Sequence, residues 1–438
     1  MKKWLVRTLL ICIAIALFNP FTAGATEIAA AVEDDLAMSI NTVWVLIAGF
    51  LVFFMQCGFG FLEAGFVRSK NVANIMAENF LDTTMTTIGF WLVGFGIMFG
   101  AGNGIWGGEW FMLRGLPETV NGLPPYAFFF FQFAFSAAAS TIASGLMAER
   151  TDFKSDLVYS LVVGAFIYPL VGHWIWSGDG WLANLGFSDF AGSTVVHTVG
   201  AMVGLAGTIV MGKRKDKVWG KAIKGHNITI AALGTFILWL GWFGFNPGST
   251  LGAEDSYSIA LIVLNTDFAA TTGAISAIFI SYFYTKKWDV GMAFNGCLGG
   301  LVAITAPCAS VTPDAALLIG VIAGTLTYYG VGWMEKLKID DPVGAFPVHG
   351  LNGIFGTLAI GIWDTSTGLL YGGGLAQLGI QALGSLSAIA FVFPVSLVMF
   401  VIIKKVFGLR IKPAGLSRGC PAGVIQLEQR CIGTCQTE

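Results

Sequence analysis

"GSTVVHTVGAMVGLAGTIVMG", residues 192–212, carries one ionisable side chain, His197, about a turn and a half into an apolar run long enough to cross a bilayer. A polar group in hydrocarbon is costly, so a histidine there faces the protein interior or a water-filled cavity and marks a functional path by default. The rest of the 438-residue chain is of the same kind: 55% of it is hydrophobic and 11% charged, where a soluble domain has about a quarter charged residues. Mean hydropathy is +0.74. This composition specifies an all-α membrane protein. Its 58 glycines let transmembrane backbones approach closely, and its 36 phenylalanines fill or gate the space between them. A net charge of −2 offers no electrostatic basis for binding nucleic acid.

Residues 1–25 read as a signal peptide: Lys2, Lys3 and Arg7, a short apolar core, and the small-residue site Ala23-Gly24-Ala25. The alternative is a retained signal anchor. With cleavage, a membrane domain over 26–410 is followed by a cytoplasmic tail over 411–438. Apolar runs near 42–66, 79–100, 126–148, 157–177, 194–212, 228–249, 257–284, 290–308, 314–334, 345–363 and 378–407 make eleven expected transmembrane helices. Setting aside Lys2, Lys3 and Arg7 leaves 21 of the 24 basic residues, and with the mature amino terminus outside only Arg114 falls on the outer face. The positive-inside rule then places the carboxyl terminus in the cytoplasm and the protein in the inner, cytoplasmic membrane. The tail cysteines, Cys420, Cys431 and Cys435, thus lie in a reducing compartment, which argues against a disulfide framework.

Eleven spans fit an inverted five-helix repeat, spans 1–5 and 6–10, with an outer eleventh helix and a substrate path at the repeat interface. Span 1 has Phe-Gly-Phe at 59–61 and span 6 has it at 243–245. Span 5 reads "VVHTVGAMVG" and span 10 "PVHGLNGIFG", with His197 and His349 each seven positions before a glycine, Gly204 and Gly356. The repeat therefore pairs His197 with His349 near the midplane. Two imidazoles in contact, one donating and one accepting, can share a proton while staying neutral. The plainer alternative is an interhelical hydrogen bond without a transport role. A metal site is disfavoured, because two imidazoles lack the third and fourth ligands zinc requires. Glu63 and Asp267 are also acidic residues within spans, and no motif connects them to the path.

Taken together, "HWIWSGDGWLANLGFSDFAGSTVVHTVGAMVG", "GWFGFNPGS", "FFFFQFAFS…GLMAER" and "DDPVGAFPVHGLNGIFG" closely resemble the ammonium transporter family, whose relatives include the Mep and Rhesus proteins. The resemblance runs from about residue 42 to 410. It implies a homotrimer with a narrow, mostly apolar pore in each subunit and no enzymatic activity or cofactor. It also implies an outer ammonium site of Trp176, Phe135 and Ser249, a gate of stacked Phe135 and Phe245, and Trp242 lining the path toward His197 and His349. The chemistry agrees: aromatic faces attract a cation and a serine oxygen accepts from it. Asp189 matches the family's acidic residue before span 5, where a carboxylate caps backbone N–H groups and favours a nearby cation; direct contact with the cation is the alternative.

An apolar pore offers nothing to replace an ion's hydration, and a bare cation would face a barrier on the order of 10 kcal/mol or more. The expected scheme is ammonium binding, deprotonation, and passage of ammonia past the histidines, with the proton crossing separately. A passive ammonia channel and an ammonium sensor are the rival readings; the short stretch after span 11 shows no fused signalling domain. The tail departs from the family, whose members carry an acidic segment there that supports control by a PII signalling protein, so a PII partner is an expectation the tail weakens. Gly344 stands where some members carry a further acidic residue.

Overall fold

The apolar runs fold into helices in chain order in the computed structural model, which describes the backbone of residues 2–411 and the side chains of 34–411. The signal-peptide and tail readings lie outside the residues described in full. The helices are α1 (Lys2–Phe66), α2 (Ser69–Phe99), α3 (Pro125–Met147), α4 (Phe153–Asn184) and α5 (Ser193–Met211). The second series is α6 (Ile228–Gly248), α7 (Ser256–Thr285), α8 (Val290–Thr305) and α9 (Pro313–Lys336), then α10 (Phe346–Leu351 continued by Asn352–Trp363) and α11 (Ala376–Val406). Among the described residues, nine helices are long and apolar enough to cross a membrane, and α8 is apolar but shorter. With α8 and the composite α10 the order is that of the eleven expected spans, and no strand of two or more residues forms among the described residues. Exposed rings and aliphatic side chains on the outward helix faces, such as Phe80, Phe236 and Leu386, suit contact with lipid tails. The protein is a multi-pass membrane protein.

Helix starts follow local chemistry. Pro125 opens α3 at a position whose N–H has no intrahelical partner anyway. Asp152, Asn227, Asp289 and Thr312 cap α4, α6, α8 and α9 by accepting backbone N–H groups. The largest difference from expectation is at α2, which begins at Ser69 rather than near 79. Its first turns carry Asn74, Glu78, Asn79 and Asp82, whose polarity hides a helix from a hydropathy reading; all four are buried against protein.

The two series pack around each other through glycine. A Cβ on Gly234 of α6 would lie 2.2 Å from the Leu62 nitrogen of α1, and one on Gly65 of α1 would lie 2.5 Å from the Ala231 nitrogen of α6. The glycines that follow the histidines play matching parts: a Cβ on Gly204 would meet the Ala143 Cα of α3 at 2.9 Å, and one on Gly356 the Ala303 oxygen of α8 at 2.3 Å. Helix α11 lies against α5 and α10, the last helices of both series. Its Gln381 donates to the Thr357 carbonyl (3.1 Å) and the Ser188 carbonyl (2.6 Å), and accepts from the Ser188 N–H (2.9 Å).

One end of the bundle is tied by charge. Glu149 accepts from Arg68 and from Arg214 (2.9 Å), Arg214 also donates to Asp340 (2.9 Å), and Arg150 donates to the Asp340 carbonyl (2.7 Å). Burial alone would raise the Glu149 carboxyl, but the Arg68 side chain and backbone N–H, with Arg214, outweigh it and hold it at about 2. Because the folded value lies below the usual 4.5, the group stabilises the fold above that value and the contribution is lost as pH falls toward 2. Thermal melts of the solubilised protein are therefore expected to show a fall in midpoint below pH 4.5 that is reduced in Glu149→Gln; equal slopes in the two proteins would count against it.

Candidate functional site

Both histidines sit on the same local device. Residues Ser193–Thr198, with His197, and Phe346–Leu351, with His349, are π-helical turns that open α5 and α10. Such turns insert one residue into the helical ladder and recur at functional sites. The turn before α5 is anchored by Asp189: one carboxylate oxygen accepts the N–H groups of Gly192 (3.0 Å) and Ser193 (2.8 Å), the other those of Thr194 (2.8 Å) and Val195 (3.0 Å). Both oxygens are thus turned to the backbone. At the other turn Asp341 accepts from Gly344 (3.0 Å), Ala345 (3.0 Å) and Phe346 (2.8 Å). Gly192 and Gly344 have φ of +113° and +77°, which a side chain would strain, so Gly344 is where the chain needs a glycine.

The aromatic residues form a column leading to the histidines. Phe135 of α3 stacks on Phe245 of α6, with centroids 4.0 Å apart and planes at 27°. At that separation the rings leave no passage between them. Trp176 meets Phe135 edge-on at 6.1 Å, and its indole N–H donates to the Asp189 carbonyl at 2.7 Å, so the cap and the outer ring are one unit. Ser249 lies one turn beyond Phe245 and its hydroxyl donates to the Phe245 carbonyl (2.8 Å). That geometry leaves lone pairs on the hydroxyl oxygen for a further donor. Below the stacked pair, His197 lies parallel to Phe245 (5.5 Å) and to Trp242 (5.3 Å). The Trp242 indole donates to Thr305 Oγ1 at 3.0 Å.

The His197 and His349 rings are stacked with centroids 5.3 Å apart, and their Nδ1 atoms approach to 3.2 Å. One Nδ1 must carry the hydrogen and the other accept it. If His197 holds the Nδ1 hydrogen, its Nε2 is a bare acceptor and the Nε2 of His349 carries the outgoing hydrogen. A proton taken at one end therefore releases a different proton at the other. His197 Nε2 is buried without a partner among the described residues. Beyond His349 is a cavity of ≈ 20 Å³, lined in part by Phe59, Glu63, Asn295, Val343 and His349, with room for about one water molecule.

An aromatic column ending on a histidine pair is the arrangement that the resemblance implied. The profile of the Ammonium Transporter Family matches residues 43–422. This chain belongs to the ammonium transporter family. It is 43% identical over 437 residues to ammonium transporter Amt2 of Archaeoglobus fulgidus, covering 93% of this chain and 92% of the relative. It is 40% identical to the putative ammonium transporter sll1017 of Synechocystis, covering 87% of each. Among solved structures it superposes on a Sensor Amt Protein with a TM-score of 0.82 and 42% identity over 86% of this chain and 96% of that one. It also superposes on Candida albicans Mep2 with a TM-score of 0.80 and 27% identity, over 85% and 86%. Members of this ammonium transporter family are transporters, not enzymes.

The structure of this transporter brings Trp176, Phe135, Phe245, Trp242, His197 and His349 into one continuous column, with Ser249 and Asp189 beside its Trp176 end. Two residues adjoin it that sequence reasoning does not connect to the path: Asp341, which it does not single out, and Glu63, which it identifies only as an acidic residue within a span. Asp341 was legible: Asp, Gly, His and Gly recur with one spacing at 189, 192, 197, 204 and at 341, 344, 349, 356. Glu63 carries no such signal, since it reaches the cavity only through the packing of α1 against α3, α8 and α10.

Proposed function

We propose that this protein takes up ammonium by binding it at Trp176, Phe135 and Ser249, deprotonating it, and conducting ammonia past His197 and His349 while the proton crosses separately along the histidine pair. The observation that carries this reading is the 3.2 Å Nδ1–Nδ1 contact at the end of a closed aromatic column. Ring faces and the Ser249 oxygen suit a small cation with N–H donors. A column of rings suits a neutral molecule and offers no coordination shell for an ion. Potassium, with no proton to give up, has no low-energy form in which to pass. Asp189 acts in this scheme as the cap that fixes the π-turn beneath His197, its charge spent on backbone N–H groups rather than on the cation.

In the same proposal the membrane domain spans 26–410 after removal of residues 1–25, assembles as a homotrimer in the inner membrane with its mature amino terminus outside, and carries residues 411–438 in the cytoplasm. Control by a PII-type protein would act through that tail. Ammonium sensing is a second reading, favoured by the likeness to a Sensor Amt Protein. The deciding experiment is solid-supported-membrane recording from proteoliposomes. An ammonium pulse is expected to evoke current and a potassium pulse of equal concentration none. Internal alkalinisation without current would favour a neutral ammonia channel, and neither response would favour a sensor.

A further inference from the structure

Below His349 the structure places a small cavity and, behind it, a cluster of buried carboxyl groups. The cavity against this histidine is lined by Gly145 of α3, Asn295 of α8, Val343 before α10, and Glu63 of α1. Glu63 is 2% exposed. Its Oε2 accepts from Asn79 Nδ2 of α2 at 3.0 Å, whereas Oε1 has no hydrogen-bond partner among the described residues and faces Gly145 across the cavity wall. Behind Glu63 lie three more buried carboxyl groups. Asn74 donates to Glu78 (2.6 Å) on α2, Ser160 of α4 donates to Asp82, and Asp156 occupies the first turn of α4. None of the four carboxyl groups is in an ion pair among the described residues. Glu78 Oε2, Asp82 Oδ2, both Asp156 oxygens and the Tyr159 hydroxyl lack a well-formed hydrogen bond there, while Asp82, Asp156 and Tyr159 adjoin one another. Natural proteins rarely leave buried polar atoms unpaired unless they serve a purpose. Carboxyl groups with unfilled hydrogen-bonding capacity, strung from a pore cavity to the first turns of α2 and α4, can take up and hand on protons.

We propose that Glu63 accepts the proton released from His349 and passes it into the carboxyl cluster between α1, α2 and α4, so that proton and ammonia part below the histidine pair. The His349 Nε2–H bond breaks as a cavity water takes its proton, and that water gives a proton to Glu63 Oε1 as Glu63 hands its own proton on toward Asp82, so the group holds one proton before and after the step. The groups facing Glu63 are Asn79 and Asp82 from α2, Asn295 from α8 and His349 from α10. None is a lysine or arginine that would hold Glu63 permanently ionised. The proton then moves along Asp82, Asp156 and Glu78 to the loop ends of α2 and α4. Ammonia needs no part of this branch.

This inference rests on the separate passage of the proton, and its test distinguishes the two. Ammonium-evoked current is recorded in proteoliposomes of the wild type, Glu63→Gln and Glu63→Asp. Glutamine keeps an oxygen that can accept from Asn79 but takes up no proton at pH 7, so a structural role would survive and a relay role would not. The expected result is a wild-type current that falls at least about a hundred-fold in Glu63→Gln, an effect at the low end for a positioned proton-transfer group, and recovers in part in Glu63→Asp. Equal currents in the wild type and Glu63→Gln overturn the branch alone, while no current in the wild type overturns charge separation and the branch with it. Should Glu63→Gln fail to fold, ammonium-induced infrared difference spectra of the wild type decide. A carboxylic-acid band that changes on ammonium addition supports the relay, and an unchanged carboxyl region overturns it.

Discussion

Replacing His197 by alanine is expected to abolish ammonium-evoked current by at least about a hundred-fold, the lower range for loss of a positioned proton-transfer group, while ammonia still crosses down its own gradient. His197 is the member of the pair that adjoins the aromatic column. Its Nδ1 meets His349 at 3.2 Å, its ring lies against Trp242 and Phe245, and its Nε2 has no partner among the described residues and is left to accept. Alanine removes the acceptor for the ammonium proton and breaks the relay at its first link. Any ammonium current that remains in the variant is expected to be matched by potassium, since deprotonation no longer discriminates between the two ions. The measurement is current under ammonium and potassium pulses together with the rate of internal alkalinisation. A variant that keeps full current would remove His197 from the proton path.

The second large effect is expected at Asp189. Its two oxygens satisfy four backbone N–H groups at the start of α5, and Asp189→Ala leaves all four buried and unpaired. One such group costs about 1–3 kcal/mol, so a loss of at least about 3 kcal/mol in stability is expected even after partial relaxation. Function should fall with it, since the carbonyl of Asp189 also orients Trp176 and the capped turn sets where His197 stands. Asp189→Asn keeps one acceptor oxygen and should lose less. The checks are the melting midpoint of the solubilised protein and the ammonium current. An Asp189→Ala protein with wild-type stability and lowered current would shift the role of this carboxylate from the cap toward the cation.

How these residues reveal themselves differs in physical kind. The histidine pair is visible in the chain because an ionisable side chain in an apolar run is rare and costly, and because both copies precede a glycine by seven positions. That glycine has a packing reason: it lets α5 press on α3 and α10 on α8. The stacked phenylalanines differ, since in a chain with 36 of them no single ring stands out without the motif around it. The start of α2 is misread for the opposite reason. Hydropathy assumes that a membrane helix faces lipid, and Asn74, Glu78, Asn79 and Asp82 face protein.

Composition, span order and the distribution of basic residues were enough to establish a many-helix membrane protein, and the repeated histidine and glycine spacing was enough to pair its two halves. These follow from one-dimensional rules, because bilayer thickness sets run length and backbone geometry sets spacing along a helix. Tertiary structure alone decided that His197 and His349 meet through their Nδ1 atoms and that Glu63 opens onto the cavity beneath His349. Those outcomes depend on the rotation and depth of one helix against three or four others. That relation is set by side-chain packing between residues far apart in the chain, and it leaves no periodic trace in the sequence.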